Sequence, residues 1–332
     1  MAKTDKQLAV ILLNLGTPDA PTAPAIRRYL AEFLSDSRVV SVPHFIWLPI
    51  LYLFILPFRP RKLVHKYRFI WGTHEGPIRN ITRALAEKTQ QLLSRRHQES
   101  NITVRSAMTY GEPSLEKVIG ELDGQGNTDF LFLPLYPQYA NATTAATLNR
   151  VSLALLSGTI PNFRFTSNYH KHPAYIHALT KSIERYSRYL ASGARLIFSF
   201  HGIPQAQADR GDPYADQCRR TADLVAHNLG LTDGEWTLAF QSRFGPAKWL
   251  HPYTSEVLAS LPDEGVSEVL MICPGFATDC LETIEEIGQL NRGIFLRAGG
   301  KNFRYVKALN ATDDHVAMVA DIVDDHLFMD ER

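Results

Sequence analysis

Short apolar runs alternate with amphipathic stretches along nearly the whole chain. Leu8–Leu15 has a single polar residue, Asn14, and stops at Gly16-Thr17-Pro18-Asp19, which reads as a strand buried on both faces followed by a turn. Ile102–Met108, Asp129–Leu135, Phe163–Ser167, Leu196–Phe200, Trp236–Gln241, Glu268–Cys273 and Phe303–Val306 read as further strands. Between them, apolar residues recur at helical spacing over Ala25–Phe33, Thr82–Leu93, Leu115–Leu122, Ala145–Leu156 and Tyr214–Leu229, and in a last helix carrying Val316, Val319, Val323 and Leu327. Tyr175, Ile176, Leu179, Ile183, Tyr186 and Leu190 form a stripe after Pro173 that predicts one continuous helix.

Strands alternating with helices predict parallel sheets, and the long connector near residues 168–176 divides them into two sets. The fold expected is α/β: two Rossmann-like domains with parallel sheets facing a cleft. The boundaries expected are 1–172 and 173–312, with a C-terminal helix over 313–332 packing back on the first domain. No short sequence repeat and no low-complexity stretch stands out.

Phe45–Phe58 breaks the pattern, with fourteen residues and no charge. It is shorter than the roughly 20 apolar residues a bilayer span needs, and Pro49 and Pro57 interrupt it. Arg59, Arg61, Lys62, Lys66 and Arg68 follow directly. An apolar wedge beside a basic run suits a lip resting on anionic lipid over residues 45–68. A buried core helix with a charged, solvated flank is the other reading.

Length and composition add limits. At 332 residues the chain holds two ordinary domains. Lys and Arg total 35 against 34 Asp and Glu, for a net charge of +1, so no overall field draws nucleic acid. The three cysteines, Cys218, Cys273 and Cys280, have no Cys-x-x-Cys spacing, which argues against a zinc or iron–sulfur set and against a disulfide framework. Met1-Ala2-Lys3-Thr4-Asp5-Lys6 leads straight into a strand, without the apolar core of a secretory signal. The location expected is the cytoplasm.

Candidate chemistry gathers where predicted strands end, the edge at which open α/β sheets bind ligands. Leu196–Phe200 halts at His201-Gly202; the histidine reads either as a strand-end cap or as a group lining a cleft. Gln241-Ser242-Arg243-Phe244-Gly245-Pro246 follows another strand, with Trp249 close behind. Pro274–Glu282 follows a third, with Glu285 and Glu286. Glu282 and Glu286 lie four apart on one helical face, where like charges repel by a few tenths of a kcal/mol. Asp279-x-x-Glu282 fits a capping box, and equally a cation path with Glu282 at the cleft. One imidazole plus one carboxylate would make a loose divalent site, suited to a metal that must leave again.

These residues coincide with a known family. The chain resembles the ferrochelatases from end to end, through Leu13–Pro18, Tyr136-Pro137-Gln138-Tyr139, Phe200–Pro204 with Arg210–Tyr214, Gln241–Pro246 with Trp249, and the acidic run Asp279–Glu286. Any one motif is weak, but five in order are specific. The resemblance implies insertion of ferrous iron into protoporphyrin IX, the last step of haem b synthesis. It implies His201 and Glu282 as the catalytic and metal-binding pair, with Asp279 and Glu286 relaying metal. Residues 45–58 match an apolar flap where porphyrin exchanges with membrane. Leu15, Tyr110 and Trp249 become candidate walls for the macrocycle, ordinary packing being the other reading, with Ser242 and Arg59 as further substrate contacts, Arg59 toward a propionate. An ordinary imidazole, with a pKa of about 6.5, is mostly neutral at cell pH, so His201 suits a proton acceptor.

The chain departs from the family at several points. It ends without the four-cysteine extension of some members, so no iron–sulfur cluster and no other permanently bound cofactor is expected, Fe(II) being a substrate. Cys280 stands where others have His, Gly76 where many have Ser, and Thr109 where some have Arg. A monomer without nucleic-acid partners is expected, peripheral on the inner face of the membrane. Two other functions fit the same architecture: a chelatase for another tetrapyrrole or metal, and a non-catalytic two-lobed binding protein.

Overall fold

The structure is a computed structural model that describes residues 7–72, 75–156 and 160–328; the Met1–Lys6 segment lies outside them. The chain divides into two compact units, the first formed by Met1–Tyr136, Ala140–Asn168 and Ala311–Arg332, the second by Pro137–Tyr139 and Tyr169–Asn310.

In the first unit, β1 (Leu8–Asn14), β2 (Ile102–Met108), β3 (Asp129–Pro134) and β4 (Asn162–Phe165) form a parallel sheet in the order β2-β1-β3-β4. In the second, β5 (Arg195–His201), β6 (Trp236–Gln241), β7 (Glu268–Ile272) and β8 (Asn302–Val306) repeat that order as β6-β5-β7-β8, again all parallel. The shared order comes without a visible sequence repeat, because sheet topology needs only the apolar pattern and the crossover lengths.

Apolar runs explain the interior. Every residue of β1 is buried, as a strand covered on both faces requires. Ile11, Leu13, Phe130 and Phe132 pack with Leu115, Ile119 and Val151 from the flanking helices. Ile197, Ala239 and Met271 pack with Leu258, Ile287 and Phe295 in the second unit. The last helix, Asp313–Phe328, packs on the helix Pro77–Arg96 of its own unit, where Arg96 bridges Asp321 and Asp324 and His97 meets Asp324 at 2.7 Å.

The single helix expected from Pro173 to Leu190 is broken. Pro173–Glu184 ends, and a short helix Ser187–Ala191 follows. At the break the i→i+4 ladder gives way to three-residue turns, with the Tyr186 amide on the Ile183 carbonyl and the Tyr189 amide on the Tyr186 carbonyl.

The apolar stretch forms helix His44–Ile50, a wide π-helical turn Leu51–Ile55 and helix Leu56–Ile70. Pro49, Pro57 and Pro60 each remove an amide donor from the ladder, and the wide turn falls between the first two. Trp47, Leu51 and Leu56 point inward and are buried, with the Trp47 indole donating to the Leu34 carbonyl at 2.6 Å. Phe45, Leu53 and Phe54 are 81%, 64% and 65% exposed, and Ile46, Ile50, Tyr52 and Phe58 are also exposed. The buried-core alternative is therefore excluded: this segment keeps an uncharged face in solvent. Among the described residues no helix is long and apolar enough to cross a membrane.

Candidate active site

β5 lies between β6 and β7, so its carboxyl end is the point where strand order reverses, the place where such sheets bind ligands. His201 is the last residue of that strand and is half-buried. Its Nδ1 lies 2.7 Å from the Gly202 carbonyl oxygen. A carbonyl only accepts, so Nδ1 carries the hydrogen and the neutral ring keeps its lone pair on Nε2. Gly202 permits this turn: a Cβ there would lie 3.1 Å from the Gln241 carbonyl oxygen and 3.3 Å from the Trp249 ring. Trp249 and Phe276 each place a ring centroid 6.4 Å from that of His201, and Trp249 is fixed by its indole N–H on the Phe244 carbonyl at 2.8 Å.

β6 pairs with β5 so that Gln241 lies beside His201. The buried Gln241 amide accepts from Ser199 Oγ at 2.8 Å and from Cys273 Sγ at 3.5 Å. It donates to the backbone carbonyl of Glu282 at 3.0 Å. The next residue, Ser242, has φ +66°, a left-handed conformation that costs a side-chain-bearing residue energy. Its amide (2.8 Å) and hydroxyl (2.5 Å) both donate to the Glu286 carboxylate, so both donors are committed within the protein.

Glu282–Asn291 is a wide π-helix that continues as the α-helix Arg292–Arg297, a form that recurs at functional sites. Burial pushes the Glu286 carboxyl above the ordinary carboxylate range; the Ser242 hydrogen bond and His201 oppose that rise, and Glu282 adds to it. Burial, with the Glu282 carboxylate hydrogen-bonded beside it, also pushes the Cys280 thiol up. The three cysteines are free and buried.

Of the two readings of Asp279 and Glu282, the capping contact is made with Thr283 instead of Glu282. The Cys280 amide donates to Thr283 Oγ1, and that hydroxyl donates to Asp279 Oδ1, both at 2.9 Å. The Glu282 carboxylate is thereby spared from capping. Asp279 also accepts from the Tyr305 hydroxyl at 2.7 Å and from Asn310 Nδ2 at 2.8 Å. Among the described residues, no set of three or more His, Cys, Asp or Glu side chains is placed to hold a metal ion.

The remaining candidates lie in the first unit. Leu15 is half-buried just beyond β1, the strand whose place in its sheet matches that of β5. Tyr110 is packed core, so the wall expected there is corrected: it is 1% exposed, its hydroxyl donates to Asp36 at 2.8 Å, and its ring meets Phe33 and the Arg150 guanidinium. Arg59 is half-buried on the lip helix, where burial lowers its pKa and Tyr67 partly restores it. Gln241, Thr283, Tyr305 and Asn310 were missed as site residues. Only Gln241 carried a signal, as a polar residue closing a buried strand.

The ferrochelatase family profile matches residues 7–327. The chain belongs to the ferrochelatase family. Ferrochelatase of Psychrobacter cryohalolentis is 45% identical over 314 residues, covering 94% of this chain and 92% of that protein. Ferrochelatase of Alcanivorax borkumensis is 44% identical over 323 residues, covering 97% and 94%. Coproporphyrin III ferrochelatase of Streptococcus mutans is 42% identical over 325 residues, covering 98% and 100%. Among solved structures, the sirohydrochlorin chelatase SirB of Bacillus subtilis superposes with a TM-score of 0.56 at 11% identity, covering 98% of each chain. CbiX, described as the terminal enzyme of sirohaem biosynthesis in denitrifying bacteria, does so with 0.53 at 16% identity, covering 95% of this chain and 98% of that one. At those identities they share the fold. Membership of the ferrochelatase family makes the protein a lyase of haem biosynthesis that inserts metal into a porphyrin.

Proposed function

We propose that this ferrochelatase inserts Fe(II) into protoporphyrin IX to give protohaem, working against a lipid surface. The observation that carries the substrate choice is the solvent-facing, uncharged stretch Phe45–Phe58. Protoporphyrin has two carboxylates and a largely apolar ring, and it partitions into lipid; coproporphyrin has four carboxylates. An exposed apolar lip followed by Arg59, Arg61, Lys62, Lys66 and Arg68 suits delivery of the former from an anionic membrane. The protein would then be cytoplasmic and peripheral.

Chemistry follows from the free-base ring, which is flat and holds two pyrrole N–H protons over its centre. Metal enters only when the ring bends and the protons have an acceptor, so the site must bind a bent ring better than a flat one. Trp249, beside His201 in the second unit, is a proposed wall, and Leu15 is the proposed porphyrin contact of the first unit. His201 Nε2 accepts the two pyrrole protons one after the other, because its Nδ1 is committed to the Gly202 carbonyl. Glu286 takes each proton onward and so frees His201 for the next, since burial has raised its proton affinity. Glu282 receives the iron, and a single carboxylate holds a divalent ion loosely enough to release it. Arg59 contacts a propionate.

Anaerobic steady-state kinetics with each porphyrin test the reading. The expected result is a kcat/KM for protoporphyrin IX at least about tenfold above that for coproporphyrin III, a difference of about 1.4 kcal/mol. The reverse preference would instead match the Streptococcus mutans relative named for coproporphyrin III. Turnover of sirohydrochlorin with Co(II) but not of either porphyrin would contradict both.

A further inference from the structure

Donors from three separate segments of the second unit converge on the Asp279 carboxylate, which is buried. Oδ1 accepts from Thr283 Oγ1 on the wide helix (2.9 Å), from the Tyr305 hydroxyl on β8 (2.7 Å) and from the Ala308 amide (3.4 Å). Oδ2 accepts from Asn310 Nδ2 (2.8 Å), while the Asp279 amide donates back to Asn310 Oδ1 (2.8 Å). Asn310 holds φ +51° to make this reciprocal pair, a conformation asparagine tolerates better than most residues. An ionised carboxylate offers about four lone-pair sites; here three donors crowd Oδ1 and one meets Oδ2. A passing cation would have to compete with these donors for the carboxylate.

We infer that Asp279 is a positioning residue, which with Thr283, Tyr305 and Asn310 pins the first turn of the wide helix to the end of β8 and so fixes where Glu282 and Glu286 stand. Thr283 is the link. It is fully buried and adjacent to Glu282, so any slip of its hydroxyl moves that carboxylate. Gln241 holds the same turn from β6 through the Glu282 carbonyl, which leaves the turn fixed between two strands. The inference rests on the reading of Glu282 and Glu286 as insertion machinery, and it replaces the relay expected of Asp279 with a structural latch.

The test uses the full chain in the anaerobic Fe(II)–protoporphyrin assay, with thermal midpoints measured alongside. Thr283→Val removes the linking hydroxyl from a residue that cannot touch iron. Its kcat should fall about 10- to 100-fold, with both KM values within about threefold of wild type, and Thr283→Ser should restore turnover. Asp279→Asn should behave like Thr283→Val, because its amide then meets the Asn310 amide donor to donor. The swap Asp279→Asn with Asn310→Asp reverses that pair, rebuilds every bond and should regain most of the turnover. Wild-type kcat in Thr283→Val would overturn the latch. So would an Asp279→Asn protein with an unchanged thermal midpoint and a raised Fe(II) KM that the swap fails to correct. If Asp279→Asn does not fold, the Thr283 pair decides. A wild type without turnover would sink the insertion reading itself, and recovery or loss of the thermal midpoint in the swap would then decide the latch.

Discussion

Ser242 should show an inverted preference between alanine and glycine. Its φ of +66° places a side chain where the backbone and Cβ crowd, at a cost of about 1–2 kcal/mol. That cost is offset by the hydroxyl on Glu286 at 2.5 Å, a hydrogen bond to a charged group of about 1.5–3 kcal/mol. Ser242→Ala loses the bond and keeps the crowding, so it should destabilise by about 1.5–3 kcal/mol. Ser242→Gly loses the same bond and relieves the crowding. After glycine's extra unfolded-state entropy of about 0.5–1 kcal/mol is subtracted, it should remain the more stable of the two by about 0.5–1 kcal/mol. The amide bond to Glu286 survives in both. Urea unfolding midpoints at neutral pH measure the difference. A glycine variant as unstable as the alanine variant, or more so, would refute the claim that the backbone is strained at this position.

Other predictions follow from the same geometry. Tyr110→Phe removes the donor to Asp36 and should cost about 1–3 kcal/mol of stability while leaving the porphyrin KM unchanged; a raised KM would return Tyr110 to the binding wall. Burial raises Glu286, so the folded state keeps that proton to a higher pH than the unfolded chain does. Its contribution to stability is full below the ordinary glutamate pKa of about 4.3 and is lost as pH rises through the raised value. Glu286→Gln should therefore match wild type near about pH 4 and become relatively more stable toward about pH 7; parallel urea midpoints across that range would contradict the assigned burial effect. Replacing Phe45, Leu53 and Phe54 together with Ser should abolish sedimentation with anionic vesicles and change stability by about 0.5 kcal/mol or less per site, since all three side chains lie mostly in solvent. Undiminished vesicle binding would remove the lip from the account.

The sheets were legible because parallel strands buried on both faces read as continuous apolar runs, as in β1 and β5. His201 stood out for a related reason: the run stops there, and topology places that stop where strand order reverses. The wide helical turns at Leu51–Ile55 and Glu282–Asn291 left no trace, since a change of hydrogen-bond partner by one residue hardly alters side-chain periodicity. Thr283 was invisible for want of any pattern, as one hydroxyl on an amphipathic helix looks inert until its neighbours are known. Asn310 reaches Asp279 from 31 residues away, a separation that local spacing does not encode. Tyr110 misled because an aromatic residue at a strand end is equally at home in a wall and in a core. The break before Ser187 was hidden by a stripe that continues across it.

The most direct test of the account compares wild type and His201→Ala in anaerobic conversion of protoporphyrin IX with Fe(II), followed by loss of porphyrin fluorescence, with porphyrin binding measured separately. Wild type should turn over, the variant should lose about 10²- to 10⁴-fold as expected for removal of a general base, and porphyrin affinity should stay within about threefold. Sustained turnover in a folded His201→Ala protein would contradict the assignment of proton acceptance to His201 Nε2.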